Sequence, residues 1–176
     1  MDITLADQYY LKALDSYPYC REFVIENLNY ALSYDDKHAQ ALCLLGRLYM
    51  YELKEYRAAI ACLQKALESD MNYPDTYKYL SLLKIWLSDY DGALKLINYG
   101  MKVEGMDIST LLLLKSLISE CKGELDLAKT ILKQAKLYSI DQELIDRIDR
   151  NIRRVKNKMK AMKPGKVRRK HQLAVV

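Results

Sequence analysis

The stretch EYRAAIACLQKA, residues 55–66, recurs in altered form as DYDGALKLINYG at residues 89–100 and as ELDLAKTILKQA at residues 124–135. Each copy has a small residue, then a bulky apolar residue, then a second small residue at the same offsets. In a helix, offsets of four and three place these side chains on one face. The pattern therefore predicts one type of helix used several times, whose small residues let a neighbouring helix approach closely.

The repeat extends over most of the chain, with a period of 34 or 35 residues. Three positions agree across four copies: Val24, Ala59, Ala93 and Ala128; Leu28, Leu63, Ile97 and Leu132; Ala31, Ala66, Gly100 and Ala135. Two consecutive positions about fourteen residues upstream of the first small residue also recur. The first of them is occupied by Leu11, Leu45, Leu80 and Lys115, and the second by Lys12, Gly46, Ser81 and Ser116. One helix pair cannot bury its apolar face alone, whereas a stack of pairs can.

The sequence predicts an all-α fold, a right-handed alpha-alpha superhelix of about four helix pairs with a C-terminal capping helix. The pattern is interrupted at Pro18, Pro74, Asp107 and Gly123, and these residues indicate where turns lie and where helices begin. The expected pairs span about 3–34, 39–70, 75–104 and 107–139 of a repeat domain at 1–140. An amphipathic helix at 141–162 and a basic tail at 163–176 follow.

Roughly residues 5–141 resemble the tetratricopeptide repeat, a 34-residue helix–turn–helix unit. The second copy carries the resemblance best, with one extra residue in its turn, through Leu42, Leu45, Gly46, Tyr49, Ala59, Leu63 and Ala66. The resemblance implies a non-catalytic interaction module, but it names no partner because the family binds many unrelated ones.

In the family that the chain resembles, the first helix of each pair lines a concave groove for an extended peptide or a helix. Transferring the groove positions of the family to this sequence predicts an aromatic and apolar groove whose anchors are Tyr and Trp side chains. An alternative is that many of these side chains only pack the core. The predicted groove residues are Tyr9, Tyr10, Tyr17, Arg47, Met50, Tyr51, Lys78, Tyr79, Leu82 and Trp86.

The helix at 141–162 carries an apolar seam with alternating spacings of three and four residues: Ile145, Ile148, Ile152, Val155, Met159 and Met162. One hypothesis is that this seam covers the open end of the stack. The other is that the part beyond Ile152 projects and pairs with a partner helix or, as a homodimer, with a second copy.

Charge is divided unevenly along the chain. Residues 1–146 carry 16 Lys/Arg and 22 Asp/Glu, a net of −6, whereas residues 147–176 carry 12 Lys/Arg and one acid, a net of +11. The basic end predicts a second contact, with nucleic acid or the ribosome as the alternative function, although no aromatic residue provides a stacking platform. Its candidate residues are Arg153, Arg154, Lys156, Lys166, Arg168, Arg169 and Lys170.

Catalytic and metal-binding patterns are not found in the sequence. The two histidines, His38 and His171, have no sequence-evident partner, and there is no glycine-rich phosphate loop. We expect no enzyme activity, no cofactor and no metal. The four cysteines lack CxxC spacing, and the N-terminus lacks a signal-peptide pattern, so a cytoplasmic protein with reduced thiols is expected. A secretion-type chaperone for hydrophobic segments is a minor alternative.

Overall fold

The computed structural model describes residues 3–162, and these form nine α-helices joined by short turns. The helices are α1 (Leu5–Ser16), α2 (Arg21–Tyr34), α3 (Ala39–Leu48), α4 (Tyr56–Ser69), α5 (Pro74–Trp86), α6 (Tyr90–Gly100), α7 (Ile108–Cys121), α8 (Leu125–Tyr138) and α9 (Gln142–Met162). Consecutive helices pack in pairs from α1–α2 to α7–α8, and α9 packs on α8. The predicted all-α repeat fold is confirmed. None of the described helices is long and apolar enough to cross a membrane.

The repeated small and bulky residues form the contacts within each pair. All twelve residues of the three aligned positions on α2, α4, α6 and α8 are buried. At Gly46 on α3, a Cβ atom would lie 2.7 Å from Cγ of Leu63 and 3.4 Å from the carbonyl oxygen of Ala59. The small residues are therefore required because the two helices of a pair approach closely.

The extra residue of the second copy is accommodated at the end of its first helix. There, Tyr49–Leu53 form a π-helical turn, which holds one more residue than an α-helical turn. Lys54 follows with a left-handed φ of 58° and reverses the chain. The insertion therefore leaves the contact between α3 and α4 in register.

The first copy shows that the sequence alignment was wrong by one residue. Ala13, not Lys12, occupies the place of Gly46: its side chain is 0 % exposed and packs in one cluster with Val24 and Leu28. Lys12 is exposed. The physical reason lies in the connection at Pro18: the offset from Ala13 to Val24 is eleven residues, whereas the offsets in the third and fourth pairs, from Ser81 to Ala93 and from Ser116 to Ala128, are twelve.

The last helix closes the stack along nearly its whole length. Ile148 and Val155 are buried against α8, and Ile152 and Met159 pack on the same cluster. Projection beyond Ile152 is therefore wrong for the described residues, since only Met162 of the seam is largely exposed, at 71 %. The same packing covers the seam residues that the alternative hypothesis assigned to a partner helix or a second copy.

Candidate partner-binding face

The first helices of the pairs, α1, α3, α5 and α7, lie side by side, and α9 continues the row. At the N-terminal end the side chain of Arg47 on α3 joins α1 to α5. Its guanidinium carbon lies 4.8 Å from the ring centroid of Tyr17 and 4.7 Å from that of Tyr79. A guanidinium group between two aromatic faces is held by cation–π attraction on both sides, so its orientation is fixed before any ligand binds.

Arg47 has no carboxylate partner among residues 3–162, and its buried Nε has no hydrogen-bond acceptor there. Burial raises the pKa of both tyrosine hydroxyls, so Tyr17 and Tyr79 stay neutral over the ordinary pH range. The positive charge of Arg47 is therefore uncompensated by any ion pair at this place.

Three further aromatic side chains extend this cluster: Tyr51 in the π turn after α3, Tyr56 at the start of α4 and Trp86 at the end of α5. The ring centroid of Tyr51 lies 6.4 Å from Tyr79 and 5.5 Å from Trp86, and Tyr56 lies 6.3 Å from Trp86, all edge to face. Trp86 remains 43 % exposed. We call the surface formed by Tyr17, Arg47, Tyr51, Tyr79 and Trp86 the aromatic half of the face.

The other half of the face is a pocket between α5, α7 and α9. Its volume is about 260 Å³, and Leu82 and Lys78 of α5 form one side. Leu113, Leu114 and Leu117 of α7 form the floor. Arg147, Asn151 and Arg154 of α9 form the remaining side. We call this surface the basic half, because its lining includes three cations and no carboxylate.

Glu120 at the end of α7 attaches α9 to this half. Its carboxylate accepts a hydrogen bond from Arg154 at 2.6 Å and forms an ion pair with Lys158 at 2.7 Å. The Glu120 side chain is only 6 % exposed. Burial opposes ionisation, but the bonds from Lys158 and Arg154 outweigh it, so the pKa of Glu120 is lowered.

Two of the predicted groove residues lie elsewhere. Met50 is 0 % exposed and belongs to the core between the second and third pairs, because the π turn rotates it inward. Tyr9 packs on the rings of Tyr30 and Tyr34 of α2, as the corrected register of α1 requires. Both predictions are wrong.

The remaining groove residues lie on the face, although contact with a ligand stays a prediction. Tyr10 is half-buried beside the ring of His38, at 5.4 Å between centroids. Lys78 lies over the Tyr79 ring at 4.9 Å and also lines the basic half, so it connects the two halves. Tyr79 itself is nearly buried and supports Arg47 more than it offers surface.

The candidate basic residues separate into three groups. Arg154 bonds to Glu120 and faces the pocket, whereas Arg153 and Lys156 are exposed on other sides of α9. The tail residues lie outside the described part of the chain: Lys166, Arg168, Arg169 and Lys170.

Sequence reasoning missed Arg147 and Asn151. Both lie on α9, outside the repeat whose positions predict the groove. A signal was present, since Arg147, Asn151 and Arg154 follow one another at spacings of four and three, beside the apolar seam.

Comparison with known proteins agrees with this architecture. Residues 39–73, which contain the second pair, match the model of the tetratricopeptide repeat family. Residues 39–73 therefore carry a tetratricopeptide repeat, a unit that is typical of protein–protein interaction modules. No curated protein sequence matches it.

Solved structures with the same fold differ widely in sequence. One is a thermophilic tetratricopeptide-repeat protein of Thermus thermophilus, with a TM-score of 0.70 at 19 % identity over 88 % of this chain and 82 % of that one. A crystal structure of MamA has a TM-score of 0.63 at 17 % identity, covering 98 % of both chains. Another MamA structure has a TM-score of 0.58 at 22 % identity over 78 % of this chain and 96 % of that one. These likenesses concern the fold alone.

Proposed function

We propose that the aromatic half binds a peptide or helix of a partner protein. The observation that carries the proposal is Arg47, stacked between Tyr17 and Tyr79 without an ion pair among the described residues. A carbonyl or carboxylate oxygen of the partner would accept hydrogen bonds from the Nη groups of Arg47. Because two rings already orient the guanidinium, little side-chain entropy would be lost on binding.

The neighbouring rings would supply the apolar contact. Trp86 is substantially exposed and is held edge-on by Tyr51 and Tyr56. Large rigid rings give much contact area at small entropic cost, and they are frequent binding anchors in interfaces. The partner segment would therefore place an aliphatic or aromatic side chain on Trp86 and Tyr51, near an acceptor for Arg47.

Site-specific photo-crosslinking tests the proposal. A photoreactive amino acid at position 86 should crosslink a defined partner in cells of the source organism, whereas one at position 99 should not. Tyr99 is a matched control because it is an exposed aromatic residue on α6, which is a second helix. Arg47→Met, which keeps the packing volume but removes the charge, should weaken capture at position 86. Equal crosslinking from both positions, or capture unaffected by Arg47→Met, would exclude the aromatic half as the binding site.

A second candidate function is contact with a nucleic-acid backbone through α9. Arg150, Arg153, Lys156 and Lys160 are exposed and form no ion pair within residues 3–162. Phosphate binding by such residues would be independent of sequence and would weaken steeply with salt. Changing all four to Gln should reduce the salt slope for a random RNA. An unchanged slope would remove α9 from this role.

A further inference from the structure

We propose that the basic half is a separate binding site for an acidic amphipathic helix of a partner protein. An apolar side chain of that helix enters the pocket, and two carboxylates, one turn to either side, pair with Arg147 and Arg154. The proposal does not depend on whether the aromatic half binds a ligand.

The floor of the pocket is suited to one apolar side chain. Leu113 and Leu114 are nearly buried, and Leu82 and Leu117 keep part of their surface exposed. The volume of about 260 Å³ is several times the roughly 30 Å³ that a water molecule occupies. Covering this floor with a partner side chain would remove apolar surface from water on both molecules.

The rim selects for negative charge. Arg147 is exposed and forms no ion pair within the described residues, and Lys78 has only a long contact of 3.9 Å with Asp75. The Nη2 group of Arg154 donates a hydrogen bond to Glu120. Glu120 already faces both Arg154 and Lys158, so its one charge is shared between two cations. The rim therefore keeps an excess of positive charge beside an apolar floor.

The spacing of the two arginines indicates a helical ligand. Arg147 and Arg154 are seven residues apart on α9, which corresponds to about 10.5 Å along the axis. Two carboxylates at positions i and i+7 of a partner helix have the same separation, with positions i+3 and i+4 midway between them on that face. A helix lying along α9 would thus align its apolar residues with Leu113 and Leu117.

A neighbouring recess limits the site at one end. Arg147 also borders a smaller recess that contains Asp107, Asp141 and Glu143. Those carboxylates would repel an acidic residue placed beyond Arg147. The expected recognition pattern is therefore short, with two acids flanking a central apolar pair.

The experiment uses a labelled, Ala- and Gln-rich helical peptide that contains Glu-x-x-Leu-Leu-x-x-Glu. Its fluorescence anisotropy is titrated with the full chain. We expect saturable binding that Arg147→Gln weakens about fivefold, the upper range for an exposed ion pair. Arg150→Gln is the matched control: it removes the same charge from the same helix, but Arg150 does not line this pocket, so the affinity should change less than about twofold.

Peptide variants separate the two kinds of contact. Replacing both Glu by Gln should weaken binding and abolish the difference between the wild-type chain and Arg147→Gln. Replacing both Leu by Ser should also weaken binding. Absence of binding to the wild-type chain, or equal losses for Arg147→Gln and Arg150→Gln, would overturn the proposal. So would binding that is lost in Trp86→Ala but retained in Arg147→Gln, which would assign the peptide to the aromatic half.

Discussion

The two halves of the face occupy equivalent surfaces of a repeated scaffold, yet they are built differently. In the aromatic half, the cation Arg47 lies between rings that come from the repeats themselves. In the basic half, the floor comes from the repeats, but Arg147 and Arg154 come from the capping helix. The repeat therefore provides shape, while the chemistry of each half depends on residues that the repeat does not specify.

The halves also differ in what keeps them assembled. The aromatic half lies on the first three pairs, which pack on one another without α9. The basic half exists only while α9 remains on α7 and α8, through its apolar seam and through Glu120. Changes in α9 should consequently affect one half and spare the other.

The largest effect is expected from Ile148→Ala. Ile148 is fully buried against α8, and its truncation should lower the free energy of unfolding by about 2–4 kcal/mol. Urea unfolding checks this by circular dichroism and by the fluorescence of Trp86, the single tryptophan, which reports on the aromatic half. We expect the circular-dichroism midpoint to fall further than the fluorescence midpoint. Met162→Ala serves as the exposed control, and coincident midpoints in Ile148→Ala would mean that the halves unfold as one unit.

A smaller effect is expected from Glu120→Gln, which removes the charge that holds Arg154 and Lys158. The loss should be about 1–2 kcal/mol at about pH 7, measured by urea unfolding. Because the pKa of Glu120 is lowered in the folded chain, its contribution is present above the ordinary pKa of a glutamate and is lost as the pH falls through the lowered value.

The same change therefore has a pH signature. The wild-type chain and Glu120→Gln should differ in stability at neutral pH and converge in acid. A difference that persists unchanged at low pH would show that the carboxylate charge is not what attaches α9.

The smallest effect is expected at the turn of the third pair, at the border of the two halves. Ser88 has a left-handed φ of 62°, which a residue with a Cβ adopts at a cost, whereas the fourth pair has Gly123 with φ 80° at its turn. Ser88→Gly should stabilise the chain by up to about 1 kcal/mol, and Gly123→Ala should destabilise it by a similar amount. Thermal unfolding measures both, and shifts of equal sign would contradict this explanation.

Much of the fold could be predicted because it depends on local periodicity. The three aligned positions identified every second helix, and their burial follows from helix geometry. The start of α7 at Asp107 and the left-handed Gly123 were also predicted, since capping and glycine conformations are local properties.

The errors arose where the spacing between the two helices of a pair changes. A shorter spacing across Pro18, from Ala13 to Val24, moved the register of α1, which displaced Tyr9 from the groove. A longer one in the second pair became a π turn and buried Met50. Both errors share a cause: transferring positions between copies assumes equal turns, and one residue rotates a helical side chain by about 100°.

The sequence by itself determined the repeat, the helix pairing and the presence of a basic C-terminal helix, because these follow from spacing and composition along the chain. Only the tertiary structure decided that Arg47 lies between Tyr17 and Tyr79, and that Arg147 and Arg154 face the leucines of α7. Those contacts join residues from helices far apart in sequence, and their geometry depends on how the pairs stack and where α9 docks. The spacing of Arg147, Asn151 and Arg154 shows that they share one face of α9, but no local pattern shows which leucines that face meets.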